Sequence, residues 1–206
     1  MTRLETYLCD RSGATSVEAA VISGVMVALT VTIFEIGYGF HQWNTAQQAT
    51  RIGARIAATT APVSLDLSTM TGLGAGVEAG DPMPDYVRTC MGTTSQCSSG
   101  GFNTDAMTEI VFGPDSDGIC ATTSRERRGM CDLMTQIGPS NLTIAYSSSG
   151  MGRAGQPASL APLVTVTLSD LEFSMPIIGS FTPLAIRQMP DISVTVMAED
   201  LRSGAS

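Results

Sequence analysis

Four cysteines between positions 90 and 131 are the residues best suited to chemistry. They are Cys90, Cys97, Cys120 and Cys131. An even number of cysteines in a Gly- and Ser-rich stretch favours two disulfide bonds, which need an oxidising compartment. The competing interpretation is a four-thiolate zinc site, but the spacings lack the C-x2-C pair typical of such sites. The sequence therefore predicts two disulfides and no metal site, and it leaves their pairing open.

Other catalytic or ligand-binding chemistry has little support. All 11 basic residues are arginine, which excludes lysine Schiff-base and Walker-lysine chemistry, and His41 is the single histidine. The run Asp115–Gly118 resembles the start of a calcium loop, but its glycine comes too early, and a turn is the favoured interpretation. A net charge of −8 argues against nucleic acid as a partner. We expect no enzyme activity and no cofactor.

A long apolar stretch near the N-terminus predicts a transmembrane helix. Residues 19–40 contain one acid, Glu35, and about 20 apolar residues are enough to cross a bilayer. The alternatives are a buried helix of a soluble domain and a cleaved secretory signal. The signal is disfavoured because the helical pattern continues well beyond residue 40. Arg3 and Arg11 lie closer to the span than Arg51 and Arg55, which favours a cytoplasmic N-terminus and a periplasmic C-terminal domain.

Gly13, Ala14 and Glu18 form a candidate processing site at the head of this helix. The first 13 residues are a short polar leader, and Glu18 is the fifth residue after Gly13. This pattern resembles the processing site of type IV prepilins. The resemblance implies that a prepilin peptidase cuts after Gly13, and that Glu18 neutralises the new amino terminus of an adjacent subunit. The alternative is that Glu18 is simply an anion favoured near a helix N-terminus.

A second set of residues on the same helix resembles a known family. These residues are Glu35, Gly37, Arg51, Gly53, Ala54 and Arg55, the last four forming an R-x-G-A-R box. The pattern is similar to that of the TadE-like family, the pseudopilins of the tight-adherence (Tad, Flp-type) pilus systems. The resemblance covers residues 12–58, about a quarter of the chain.

That resemblance implies a non-enzymatic minor pilin, or pseudopilin, which helps to initiate, tip or assemble a Tad pilus used in surface adhesion. It implies an inner-membrane location, with a final place at the cell surface or in the pilus as a further alternative. The partners implied are other pilin and pseudopilin subunits, the Tad inner-membrane assembly platform and a prepilin peptidase. Two alternatives stay open. One is a pseudopilin of a type II secretion system, which the R-x-G-A-R box disfavours, and the other is a single-pass anchored periplasmic binding domain.

Small residues recur at every fourth position of the predicted span. They are Ser16, Ala20, Gly24, Ala28 and Thr32. Such a row lets membrane helices approach closely, so it predicts a packing face for other helices, with chance composition as the alternative. Glu35 lies on the same side of the helix. It is either a functional acid within the membrane or a residue of the headgroup zone, which Tyr38 and Trp43 would mark.

The helix is expected to continue beyond the membrane to about Thr59, since the residue before Pro62 disfavours helical geometry. Ile52 and Ile56 share a face and are expected to dock the helix on its own domain. Arg51 and Arg55 also share a face. They are expected to be solvated, with bridges to acids of a neighbouring subunit as the alternative.

The remaining residues predict a small α+β domain. The chain therefore divides into a leader (1–13), a helix (14–59) and a disulfide-bonded domain (60–206). Alternating apolar residues predict antiparallel strands at 142–146, 163–169 and 192–196. Short helices are expected at 84–91 and 122–136 and a short strand at 108–112. Prolines confine 176–190 to loops or sheet edges.

Overall fold

The structure is a computed structural model that describes residues 12–74, 76–114, 118–120, 127–155, 160–177 and 188–198. Within these residues, two α-helices and five strands follow one another. They are α1 (Ser12–Thr59), β1 (Val87–Met91), β2 (Gln96–Cys97), α2 (Thr104–Phe112), β3 (Leu142–Ser147), β4 (Leu163–Leu168) and β5 (Ile192–Met197). The fold class predicted from the sequence, a long helix followed by an α+β domain, is confirmed.

Helix α1 is continuous over 48 residues and ends at Thr59, where the sequence predicted its end. The Thr60 N–H still donates to the Ile56 carbonyl at 3.0 Å, and Pro62 then prevents further helix. The packing of the chain divides this helix. The described residues up to 41 form one compact unit with residues 174–177, and those from 42 to 173 form a second with residues 188–198. We call residues 12–41 the N-terminal region of α1 and residues 42–59 its C-terminal region.

The five strands form one antiparallel sheet in the order β2-β1-β3-β4-β5. The three strands predicted from alternation are β3, β4 and β5. In the centre of the sheet, Ile144 pairs with Cys90 on one side and with Val166 on the other. This register places the apolar residues of neighbouring strands on one face, because side chains alternate between the two faces of a strand.

The core lies against that apolar face. Strand β3 contributes Leu142, Ile144 and Tyr146, all fully buried, and β4 contributes alternating valines and leucine. Helix α2 adds four buried side chains, and the C-terminal region of α1 adds a face of small residues. Burying each large apolar side chain contributes about 1.5–3 kcal/mol, so this layer is the main source of the domain's stability.

Three local predictions in the domain are wrong. The expected strand at 108–112 is part of α2, because Met107, Ile110 and Val111 are buried at helical rather than alternating spacing. Asn103 caps this helix, its Oδ1 accepting the Ala106 N–H at 3.2 Å. Residues 87–91 form β1 rather than a helix, because they pair with β3 along their whole length. The described part of the expected helix at 122–136, residues 127–136, consists of turns.

Candidate functional site on the first helix

The N-terminal region of α1 exposes its large apolar side chains. Ile33 is 70% exposed and Phe34 76%, and Val17, Val25 and Leu29 are also more than half exposed. Three of the hydroxyl groups in this region donate to carbonyls one turn back, as Thr30 does to Met26. A helix that satisfies its own polar groups and presents apolar side chains outward suits a hydrocarbon solvent. Helix α1 is long and apolar enough to cross a membrane.

The row of small residues is exposed along its whole length. Every one of Ser16, Ala20, Gly24, Ala28 and Thr32 is exposed in this single chain. A side chain added at Gly24 would have no heavy atom within 4 Å. The row therefore leaves room for another helix to approach the backbone of α1, as the sequence suggested, and its role in packing stays a prediction.

Glu35 has an environment that the sequence did not foresee. It is 4% exposed, while its neighbours Phe34 and Ile36 are exposed. The backbone N–H of Ile177 donates a hydrogen bond to Glu35 Oε1. The two residues are 142 positions apart, so no local pattern could have indicated this contact. Gly37, the next residue of the family pattern, has nothing within 4 Å of an added side chain.

The predicted processing site lies at the start of α1. Helix α1 begins at Ser12, so the backbone of Gly13 and Ala14 lies in its first turn, while residues 1–11 of the leader fall outside the described residues. Glu18 is exposed and lies beyond the first turn. Because the helix dipole acts mainly on the first turn, the dipole offers little reason for an acid at position 18 of the uncut chain. Cleavage after Gly13 stays a prediction.

The C-terminal region of α1 packs through small residues. Apart from Gln42, its buried residues are Ala46, Ala49, Thr50, Gly53, Ala54, Ala57 and Ala58. An added side chain at Gly53 would collide with the fully buried Met130. These positions repeat with a helical period, which is the signal that sequence reasoning missed. The docking predicted for Ile52 and Ile56 holds in part, since Ile56 is half-buried against the core and Ile52 is half-buried beside this face.

The R-x-G-A-R box therefore divides into two sides. Gly53 and Ala54 face the core, whereas Arg51 and Arg55 are exposed. The small pair brings the helix backbone close to the domain, and the arginines remain on the surface of the described chain. Bridges from these arginines to a neighbouring subunit, the alternative that the sequence left open, stay untested.

The four cysteines form two disulfides, Cys90–Cys97 and Cys120–Cys131. The first joins β1 to β2, and the Cα atoms of Cys90 and Cys97, which pair across these strands, are 4.0 Å apart. This pairing confirms the two predicted disulfides and resolves the choice that the sequence left open. Because the four sulfur atoms are bonded to one another in pairs, they are not available as thiolate ligands of the alternative zinc site. The calcium-like run, Asp115–Gly118, lies mostly outside the described residues.

Polar contacts fix the chain where it leaves α1. The Val63 N–H donates to the hydroxyl oxygen of Tyr146 at 3.0 Å, inside the core. Burial raises the pKa of Tyr146 to about 12, even though the Val63 hydrogen bond acts in the opposite direction. The hydroxyl is therefore neutral at physiological pH and available as an acceptor for this buried amide.

A second contact joins the segment after α1 to the sheet. Asp66 Oδ2 accepts from Arg88 Nε at 2.8 Å and from Ser99 Oγ at 3.2 Å, and Oδ1 accepts from Ser64 Oγ at 2.6 Å. Partial burial acts to raise the pKa of Asp66. The hydrogen bonds from Ser64, Arg88 and Ser99, together with the Arg88 charge, outweigh it and lower the pKa below its ordinary value.

One long apolar helix that continues into a domain with a disulfide-bonded antiparallel sheet fits a membrane-anchored protein. Residues 13–55 match the family model described as TadE-like protein, which confirms the family resemblance drawn from the sequence. The match covers the helix alone, 43 of the 206 residues. A TadE-like domain fits a protein associated with Tad pili. No curated protein and no solved structure matches the chain.

Proposed function

We propose that this chain is a non-enzymatic minor pilin, or pseudopilin, of a Tad (Flp-type) pilus, which helps to initiate, tip or assemble the filament. The observation that carries the proposal is the position of the TadE-like match. It coincides with a helix that exposes its apolar N-terminal region and buries its C-terminal region in a folded domain. A subunit built in this way delivers a folded domain on a helix that other subunits can bind.

In this role the N-terminal region of α1 crosses the inner membrane, and the disulfide-bonded domain lies in the oxidising periplasm. Two disulfides in a small domain support that compartment. A prepilin peptidase removes residues 1–13. The amino group of Ala14 then pairs with Glu18 of an adjacent subunit, because an exposed carboxylate on an apolar helix needs a cationic partner.

Two exposed surfaces of α1 are suited to partner subunits. The row from Ser16 to Thr32 accepts the helices of other pilin subunits within the membrane. Arg51 and Arg55 lie four residues apart on the exposed side of the C-terminal region, where they are accessible to acids of a neighbouring subunit. In this proposal the assembled pilus adheres to surfaces, and this chain contributes to adhesion through pilus assembly.

The processing step is the first test. In cells with an active prepilin peptidase, the membrane-extracted protein is expected to start at Ala14. A G13V variant should retain Met1, whereas a G24V variant, altered at an exposed glycine of the same helix, should be processed normally. An intact Met1 start in the unmodified protein contradicts the processed-pilin mechanism.

The pilus role has a separate test. Deletion of the gene should abolish or sharply reduce Tad pili on the cell surface, and the unmodified gene should restore them while the G13V variant does not. Loss of type II secretion with normal pili favours the secretion pseudopilin instead. Normal pili and normal secretion contradict both filament roles and favour a plain anchored domain.

A further inference from the structure

A short segment late in the chain lies against the apolar part of α1. Residues 174–177 belong to the same compact unit as the N-terminal region of α1. The Ile177 N–H donates to Glu35 Oε1, and Glu35 is 4% exposed in a stretch of helix whose other side chains are largely exposed. The segment therefore covers the acid that interrupts the predicted membrane span.

The sequence of this segment is unlike the rest of the domain. Residues 173–186 read FSMPIIGSFTPLAI and contain no charged residue, although 15% of the whole chain is charged. Charged residues return on both sides, at Glu172 and Arg187. In the described part of the run, Pro176 is exposed and Ile177 is 43% exposed. Exposed apolar residues that form a continuous patch mark a surface that binds another apolar phase.

This apolar surface continues the lipid-facing surface of α1. Around the Ile177–Glu35 contact, the helix presents Phe34 (76% exposed), Ile36 (56%) and Phe40 (66%). Tyr38, 43% exposed, lies one turn beyond Glu35, and tyrosine is enriched where a membrane helix passes the headgroups. The apolar residues of helix and segment therefore lie together near one end of the span.

The hydrogen bond between Ile177 and Glu35 reduces the free-energy cost of placing either group near the hydrocarbon. A carboxylate near the hydrocarbon is costly unless it has a donor. Non-helical backbone is tolerated at membrane depth only where its polar groups are satisfied within the protein. The Ile177 N–H gains an acceptor in Glu35 Oε1, and that carboxylate oxygen gains a donor, which lowers the cost of placing both groups at the membrane surface.

We propose that residues 174–177 form a second membrane-contacting element, which enters the headgroup region of the bilayer beside α1 and is held there by Glu35. The occupant of the apolar surface is the lipid bilayer, because the surface is continuous with the membrane-facing side of α1. The proposal depends on α1 crossing a membrane and is independent of any role in a pilus. Glu35 acts in it as a positioning residue.

Tryptophan quenching in lipid vesicles tests the contact. The chain has one tryptophan, so a W43F/I177W variant of the full-length protein carries a single reporter at the segment. It is reconstituted in phosphatidylcholine–phosphatidylglycerol vesicles that contain brominated phospholipids. The matched control is W43F/M151W, since Met151 is 62% exposed but belongs to the other compact unit. Masses that show both disulfides confirm that each variant has folded.

The reporter at 177 is expected to lose roughly half of its emission to brominated lipid, because an interfacial element is buried about 5–10 Å into the headgroup boundary. The reporter at 151 should remain unquenched by lipid and accessible to acrylamide. Equal quenching at the two positions, or none at 177, overturns the proposal.

The role of Glu35 is tested in the same background. Adding E35A is expected to bring quenching at 177 down towards the level at 151, whereas adding E18A, at the exposed acid of the same helix, should leave it unchanged. Unchanged quenching in E35A overturns the positioning role of Glu35. Because vesicles contain no other pilus component, neither result depends on the outcome of the pilus experiments.

Discussion

The two regions of α1 use side-chain size in opposite ways. In the N-terminal region the exposed residues are large, as at Ile33 and Phe34. In the C-terminal region all the buried residues except Gln42 are small, and Ala46, Ala49 and Ala54 are fully buried. One continuous helix therefore has two kinds of surface, one that exposes large apolar side chains and one whose small side chains let the protein core approach the backbone.

The difference shows that hydropathy alone cannot describe this helix. A lipid phase accepts large apolar side chains without shape matching, whereas a close-packed core needs room for its own bulky residues. Met130 occupies that room above Gly53. The family pattern contains a glycine in each region, Gly37 and Gly53, and the structure gives the two glycines different surroundings.

Removing both disulfides should have the largest effect on the comparison. Serine substitution of the four bonded cysteines is expected to cost about 5 kcal/mol of unfolding free energy, at about 2–4 kcal/mol for each disulfide. The domain should then unfold in detergent, while residues 15–34 keep their helical hydrogen bonds. Hydrogen exchange resolved by residue distinguishes the two regions. Protection of β3 and β4 equal to that in a C9S control would contradict this expectation.

Replacing a glycine in each region by leucine should have the next largest effect on the stability of the domain. G53L is expected to destabilise the domain by about 3 kcal/mol, because the new side chain overpacks against the buried Met130. G37L is the matched control, and it should leave the domain's stability unchanged, since nothing lies within 4 Å of the added carbon. Thermal unfolding in detergent measures both. Equal losses in the two variants would mean that the regions do not differ in packing.

Removing a buried hydroxyl should have a smaller effect. Y146F is expected to cost about 1–2 kcal/mol, because it leaves the buried Val63 N–H without its acceptor. Y86F is a matched control. The Tyr86 hydroxyl is also buried, and it has no hydrogen-bond partner among the residues that the structure describes. Chemical denaturation should show a loss for Y146F alone, and a loss in Y86F as large as that in Y146F would contradict the assignment.

Local patterns in the sequence predicted much of this structure. Alternation of apolar residues located β3, β4 and β5, and a long apolar run located α1. Long-range contacts explain the failures. Strand β1 exists because β3 pairs with it, and β2 is two residues long, too short for any period. The Glu35–Ile177 contact joins distant parts of the chain. The buried small residues of α1 do repeat with a helical period. Ile52 and Ile56, beside them, are larger and more apolar, so the sequence favoured these two as the residues that dock the helix on its domain.

The smallest effect is expected from the carboxylate that ties the segment after α1 to the sheet. The pKa of Asp66 is lower in the folded protein than in the unfolded chain, so the unfolded state binds more protons as the pH falls. Its contribution is therefore complete above the unfolded pKa of about 4 and is lost as the pH falls through the folded value. Since Asp66 and Arg88 are both partly solvated, that contribution is under about 1 kcal/mol.

The measurement is a comparison of D66N with the unmodified protein by denaturant unfolding at pH 7 and at about pH 3. D66N should be slightly less stable at pH 7, and the difference should shrink in acid, where the native carboxylate also becomes neutral. D85N provides the control. Asp85 is exposed and accepts one hydrogen bond, from Ser148. A D66N deficit that stays constant with pH would mean that Asp66 acts through shape rather than charge. The contact of the segment after α1 with β1 would then depend on the shape of the Asp66 side chain and not on its charge.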